Sequence, residues 1–266
     1  YIGASLCILI VLGGLLSTSL RNTIINTISE TYHEQLAHID FALTTFFKNM
    51  EHDLETIAQN EWVRSKNDAN FTNFLNADEG TFQYNIGELE QKIINIFNRY
   101  RTTHPFVHSV YMGRENGSFV RSHKRAKPTR YDPRARPWYR LGKENPGKIM
   151  RTPPFRSVTT PDVSIGFVKA MVDDQQNIYG VIGISITLAD LTEYISNIKM
   201  DYSGWITLVD ENGTILVSRD KSALFKSLES FNAMLNREVF GHKEGYSIFK
   251  NNSEKRYAFF YTSPAL

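Results

Sequence analysis

Ser109-Val110-Tyr111-Met112-Gly113-Arg114-Glu115-Asn116-Gly117-Ser118-Phe119-Val120-Arg121-Ser122 is echoed by Trp205-Ile206-Thr207-Leu208-Val209-Asp210-Glu211-Asn212-Gly213-Thr214-Ile215-Leu216-Val217-Ser218. The Glu-Asn-Gly triplets at 115–117 and 211–213 are offset by 96 residues, and Ser122 and Ser218 keep the same offset. Each copy reads as a strand, an Asn-Gly turn that admits positive φ, and a returning strand. Two such hairpins a domain length apart point to two similar lobes in tandem. Asn-Gly hairpins are common enough for coincidence, but the shared offset of the flanking serines and apolar positions favours a repeat.

Outward from the hairpins, Val163–Val172 and Tyr179–Thr187 read as strands joined by the polar turn Asp173-Asp174-Gln175-Gln176-Asn177. Ala189–Met200 reads as a helix linking the lobes. Upstream, Ile86, Leu89, Ile93, Phe97 and Tyr100 mark a helix that ends before His104-Pro105. Farther upstream, Ile25, Ile28, Tyr32, Leu36, Ile39, Leu43, Phe46, Met50, Leu54 and Ile57 recur in steps of three or four. That is one long amphipathic helix, whose stripe must face its own domain or a partner helix. A free coiled coil fits less well, because Tyr, Phe and Met stand where a zipper prefers Leu and β-branched residues.

Residues 1–20 carry no charge, and Leu6–Leu16 is almost wholly apolar, which suits a bilayer crossing. A cleaved signal peptide is the competing reading, with Ser17, Thr18 and Ser19 as small residues after an apolar core. A first residue of Tyr and an end at Thr262-Ser263-Pro264-Ala265-Leu266 read as a piece of a longer chain.

At 266 residues with 41% hydrophobic and 22% charged residues, the chain is neither a disordered tail nor a polytopic membrane protein. The single cysteine, Cys7, excludes a disulfide framework within the chain and a Cys-rich metal site. The formal net charge of +2 hides an asymmetry. Residues 121–156 hold 12 Lys+Arg against only Asp132 and Glu144, a local +10 that leaves −8 elsewhere. Tyr131, Trp138, Tyr139 and Phe155 lie among those cations. Such a mixture can stack and neutralise a single-stranded nucleic acid; the near-neutral total and the membrane stalk argue against it. For the lysines a solvated basic face is the simpler reading.

Tyr131-Asp132-Pro133-Arg134-Ala135-Arg136-Pro137-Trp138-Tyr139, followed by Thr152-Pro153-Pro154-Phe155, resembles the ligand-pocket signature of double Cache (dCache) sensor domains. These are extracytoplasmic modules of bacterial chemoreceptors, sensor histidine kinases and cyclic-di-GMP enzymes. The resemblance implies an α+β fold: a transmembrane helix over 1–20, a stalk helix over 21–65, a membrane-distal PAS-like ligand-binding lobe over 66–188, and a linker helix with a truncated membrane-proximal PAS-like lobe over 189–266. Both lobes are expected to carry antiparallel sheets. It also implies that Arg136 and Trp138 hold a ligand carboxylate, that Tyr131 and Tyr139 lie against the ligand, that paired stalks form a homodimer, and that residues after about 20 are periplasmic, anchored in the inner membrane.

The residue chemistry agrees with such a pocket. A guanidinium presents a planar fork that matches a carboxylate bidentately, and Trp and Tyr supply apolar walls with one donor each. The competing structural role is Arg136 paired with Asp132 or a backbone carbonyl, with Trp138 and Tyr139 filling core.

The family's amino-acid sensors also place two acids against the ligand ammonium, and both positions are altered. The Pro-Tyr step reads Pro154-Phe155-Arg156-Ser157, and the last strand of the lobe carries Ser185. An ammonium enclosed without a counter-charge costs several kcal/mol. The expectation is therefore a small anionic ligand without an amine, a mono- or dicarboxylate. Arg156 would be a second cation, Phe155 a wall, and Ser157 and Ser185 neutral hydrogen-bonders. The alternatives are an amino-acid sensor with a shifted register, or a membrane-anchored protein-binding module presenting Trp138 and Tyr139. No cofactor, metal or nucleic acid is expected. Catalysis in this region is not expected either, since the seven histidines include no HExxH, and neither a Gly-x-Ser-x-Gly elbow nor a phosphate-cradling loop is present. A cytoplasmic kinase or diguanylate cyclase output stays open for the full-length protein.

Overall fold

A computed structural model describes the whole chain except residues 1, 157–162, 199–203, 252–253 and 265–266; of 2–18, 156, 196, 250, 251 and 254 it describes the backbone only. The chain divides into two compact units, Phe46–Lys199 and Tyr1–Thr45 with Met200–Leu266.

Helix α1 (Ile2–Ala58) supplies residues to both units. The resemblance implies a stalk helix over 21–65, but the helix ends at Ala58 and Asn60 interrupts it. The Asn60 side chain accepts the Trp62 amide at 3.0 Å and starts a separate turn of helix, α2 (Glu61–Arg64). This local capping competes with continuation of the long helix. The expected membrane crossing over 1–20 rests on side chains outside the described residues, and among the described residues no helix is long and apolar enough to cross a membrane.

In the Phe46–Lys199 unit, α3 (Glu88–Thr103) precedes the hairpin β1 (Ser109–Arg114) and β2 (Phe119–Arg121). The motif then forms a 3₁₀ turn, Pro133–Ala135, and helix α4 (Pro137–Glu144). Next come β3 (Ile149–Arg151), β4 (Phe155–Arg156), β5 (Val163–Val172), β6 (Ile178–Thr187) and α5 (Leu188–Ser196). The six strands make one antiparallel sheet in the order β2-β1-β6-β5-β3, with β4 also on β5. β5 and β6 lie where the sequence places them, and their turn is closed by Asp173 Oδ1, which accepts the Gln175 and Asn177 amides.

Strand alternation gives this sheet two faces with different work. Val110, Met112, Ile184, Ile165 and Phe167 form one face. Phe167 meets Phe47 of α1 at 5.6 Å between ring centres, and Lys169 pairs with Glu55 one helical stretch further on. Arg114 is fully buried on this side and donates to the Val63 and Ser65 carbonyls, fastening the end of α2 to the sheet. The opposite face carries Tyr111, Phe119, Val168 and Val181, packed with Phe74, Trp138 and Tyr139.

In the other unit, β7 (Leu208–Val209) and β8 (Ile215–Val217) form the second hairpin, followed by α6 (Leu228–Phe231), α7 (Ala233–Gly241) and the hairpin β9 (Glu244–Asn251) and β10 (Glu254–Tyr261). Ile215, Ala223, Leu228 and Leu235 make a small core here, and Tyr32 of α1 stacks on Phe259 at 4.4 Å. The two repeat hairpins turn alike. Gly117 and Gly213 have φ of +85° and +80°, and their amides donate to the Arg114 and Asp210 carbonyls at 2.9 and 3.0 Å. The Asn-Gly triplet is thus the same turn twice.

Candidate functional site

Asp132 is the residue that decides the state of the motif's arginines. Its carboxylate accepts the Arg134 amide at 3.0 Å and grips the Arg134 side chain bidentately at 2.9 and 3.0 Å. Arg134 also donates to the Glu115 carbonyl. Arg136 is therefore left out of the pairing that a purely structural motif would use. It caps α4 through its backbone ahead of Pro137, and its guanidinium carbon stands 6.0 Å from the Tyr131 ring centre. Among the described residues, none forms an ion pair or side-chain hydrogen bond with it.

Trp138, on the first turn of α4, is 3% exposed and packs edge-on to Tyr111 at 4.9 Å. Its indole donates to the Tyr131 hydroxyl at 3.2 Å, and Tyr131 leans on Phe119 at 4.8 Å. The motif lies this close to the sheet because β1 is a glycine at 113. A Cβ there would stand 2.7 Å from Pro133 Cβ and 3.1 Å from the Trp138 ring. Gly183 does the same for Tyr111, whose ring would lie 2.9 Å from an added Cβ.

Register brings the remaining groups onto this face. Tyr111 pairs with Arg121 on β2 and Gly183 on β6; Ser109 pairs with Ser185, Ser185 with Gly166, and Phe155 with Ser164. Phe155 and the Tyr111 hydroxyl approach each other over Gly166, at 3.4 and 3.0 Å from its ideal Cβ position. Ser185 is 3% exposed and donates weakly to the Ser109 carbonyl at 3.5 Å. Tyr131, Arg136, Trp138, Phe155 and Ser185 are thus brought to one face. Tyr139 packs in the same cluster, its ring 5.4 Å from that of Trp138, and its hydroxyl donates to Glu115, which also binds Lys143. The backbone of Arg156 pairs with Val163, its side chain is outside the described residues, and so is the whole of Ser157. Two solvent-open grooves of about 690 and 580 Å³ lie elsewhere, along Trp62, Asn70 and Phe71 and beside Thr72 and Phe82.

Sequence reasoning passed over three groups here: Tyr111, Arg121 and Arg125. The Arg121 Nε donates to Ser109 Oγ at 2.8 Å, with Nη2 3.4 Å from a His108 ring nitrogen. Arg125 lies 4.7 Å over the Tyr131 ring and donates to the Thr129 carbonyl. Desolvation lowers the pKa of both guanidinium groups. Burial raises that of the Tyr131 hydroxyl, against the opposing pull of the Trp138 donor and of Arg136, Arg125 and Arg121. Three cations therefore act on one buried hydroxyl, and among the described residues no carboxylate pairs with any of them. The buried acid nearby, Glu90, accepts the Thr72 amide instead, and burial raises its pKa.

His123 registers the same field. Burial first, then Arg121, Arg101 and His108, hold its pKa down to about 3. Between that value and the ordinary 6.5 the unfolded chain binds a proton that the folded one refuses, so stability falls on acidification through this window. His123→Gln should flatten the dependence of urea-unfolding free energy on pH between 6.5 and 4. An unchanged slope would remove His123 from the acid response.

The sequence pattern of the family dCache_1, described as Cache domain, matches residues 16–266. The methyl-accepting chemotaxis protein McpG of Pseudomonas putida is 33% identical over 120 residues, which is 45% of this chain and 18% of that protein. McpB of Bacillus subtilis is 28% identical over 134 residues, 50% of this chain and 20% of that protein. The chain spans about a fifth to a quarter of the length of such relatives. Among solved structures, the ligand-binding domain of the Pseudomonas fluorescens chemoreceptor CtaA in complex with L-serine superposes with a TM-score of 0.67 at 20% identity, covering 87% of this chain and 88% of that one. The PctB domain of Pseudomonas aeruginosa in complex with L-Arg gives 0.57 at 19% identity, covering 80% and 79%. The mixed α/β build, with its long N-terminal helix and antiparallel sheets, is that of these domains, and the chain belongs to the Cache domain family.

Proposed function

We propose that this chain is the extracytoplasmic sensing region of a bacterial transmembrane receptor, and that it binds a small carboxylate between the motif and the β1–β6 face. The observation that carries this is the set of Arg121, Arg125 and Arg136 around the Tyr131 hydroxyl with no acidic partner among the described residues. Arg121 and Arg125 are desolvated cations without a counter-charge, which is costly, and a bound anion offsets that cost. Arg136 and Trp138 form the carboxylate clamp, Tyr131 and Phe155 enclose the ligand, Ser185 and Ser157 give neutral hydrogen bonds, and Arg156 adds charge. Tyr139 supports the clamp from behind. Residues 1–20 anchor the chain in the inner membrane, and 21–65 act as the stalk of a homodimer. Residues 66–188 are the sensing lobe, and 189–266 the linker and membrane-proximal lobe. The output, by analogy with the relatives, is a chemotaxis signal.

One observation favours a second reading. The solved neighbours hold L-serine, L-Arg and asparagine, all of which carry an ammonium group. Ser185 offers a hydroxyl where those ligands would need a carboxylate. A thermal-shift screen separates the two. At a hundredfold excess over Kd a ligand adds about 2.7 kcal/mol to the folded state, and organic acids should raise the midpoint while α-amino acids do not. A response to amino acids alone would overturn the carboxylate reading.

A further inference from the structure

We propose that Arg121, with the Tyr111 hydroxyl, forms a second anion-binding subsite on the same sheet face as the Arg136 clamp, so that the ligand is a small dicarboxylate held at both ends. This rests on the carboxylate reading above and narrows it.

Among the described residues no carboxylate pairs with Arg121. Ser109 Oγ takes its Nε and a His108 nitrogen faces Nη2, which orients the guanidinium without neutralising it. Among the described residues nothing binds Nη1. Directly across the β1–β2 register stands Tyr111, 5% exposed, whose hydroxyl has no hydrogen-bond partner among the described residues. A buried O–H donor left without an acceptor is destabilising. A preset guanidinium edge and an unused hydroxyl donor on one face are what a second carboxylate would satisfy. The alternative use of Tyr111, a bond to a neighbouring side chain, fails on geometry. Its hydroxyl sits over the Gly166 and Gly183 backbone, beside Thr152 and the rings of Trp138, Phe119 and Phe155, and among the described residues it bonds to none of them. The Arg136 guanidinium carbon stands 6.0 Å from the Tyr131 ring centre, and Tyr131 and Tyr111 both pack on Phe119, so the two ends lie within reach of one short diacid.

The test is calorimetric titration of the purified chain, kept in detergent, with succinate and glutarate against butyrate and valerate. The diacids should bind at least tenfold more tightly than the monoacids of equal length. Arg121→Gln should bring the diacids to the monoacid affinity, a larger loss than any the monoacids show. Tyr111→Phe, which removes only the hydroxyl, should weaken the diacids several-fold and spare the monoacids, and it serves if Arg121→Gln fails to fold. Equal affinities in the native chain, or equal losses for both acid classes in the variants, would overturn the second subsite while leaving the Arg136 clamp standing. If neither class binds, or Arg136→Ala leaves binding unchanged, the carboxylate reading falls and takes this inference with it.

Discussion

Arg136→Ala should lose about a hundredfold in carboxylate affinity while the ligand-free protein unfolds at the same urea concentration as the native chain. The two halves of this expectation have one cause. Asp132 is committed to Arg134 through two side-chain bonds and a backbone bond. Arg136 therefore contributes no ion pair to the fold among the described residues, and its guanidinium carbon stands 6.0 Å from the Tyr131 ring centre. Replacing such a side chain changes stability by about 0.5 kcal/mol or less. A ligand carboxylate on the guanidinium fork makes two charge-assisted bonds, each contributing about 1.5–3 kcal/mol. Loss of even about 2.7 kcal/mol is a hundredfold in Kd. Arg134→Ala is the opposed control, because it removes the Asp132 pair and the Glu115 carbonyl bond and should lower stability with ligand affinity changed little. Calorimetry and urea unfolding on both variants decide the matter. Retained affinity in Arg136→Ala would mean that the guanidinium does not touch the ligand.

The period-two and period-3.6 patterns made β5, β6 and α3 legible because each is long and buried on a defined face. The motif was legible only as chemistry. Its second half is a helix, α4, whose eight residues are too short and too charged to announce a period, and whose start depends on the Arg136 cap and Pro137 rather than on apolar spacing. That helix packs both Trp138 and Tyr139 against the sheet but commits their polar tips to different partners, Tyr131 and Glu115, a divergence invisible in a linear Trp-Tyr pair. The second carboxylate contact was hidden by one residue of register. A two-residue loop at Asn116-Gly117 would pair Tyr111 with Ser122. The observed turn instead spans three residues, with Arg114 bonded to Ser118 and only Gly117 at positive φ, so Tyr111 faces Arg121. A slip of one would have put Arg121 on the opposite side of the sheet. The break at Asn60 had a visible signal, an Asn three residues after the last position of the apolar stripe, Ile57, but capping and continuation compete locally and only the tertiary setting chooses between them.

The sheet of the Phe46–Lys199 unit separates two tasks, and Phe167→Ala should expose that separation. Phe167 is fully buried on the face opposite Tyr111 and meets Phe47 of α1 at 5.6 Å, tilted by 47°. Truncating a buried Phe costs about 3–5 kcal/mol, from lost transfer energy and the cavity left behind. In a unit of about this size that is a fall of about 6–20 °C in the thermal midpoint. Lys169 and Glu55 remain to hold α1 on this face, so the helix stays docked below the transition. Phe167 has no contact with the motif, since its neighbours on β5, Gly166 and Val168, are the residues that point to the ligand face. Ligand affinity measured at low temperature should therefore stay within threefold of the native value. Unchanged affinity would mean that any coupling between the faces passes through the backbone of β5 and β6 rather than through Phe167 itself. Differential scanning calorimetry and titration at 10 °C test both parts. A collapse of affinity in a folded Phe167→Ala protein would show that the helix-facing side chains shape the site directly, and that the two faces form one mechanical element.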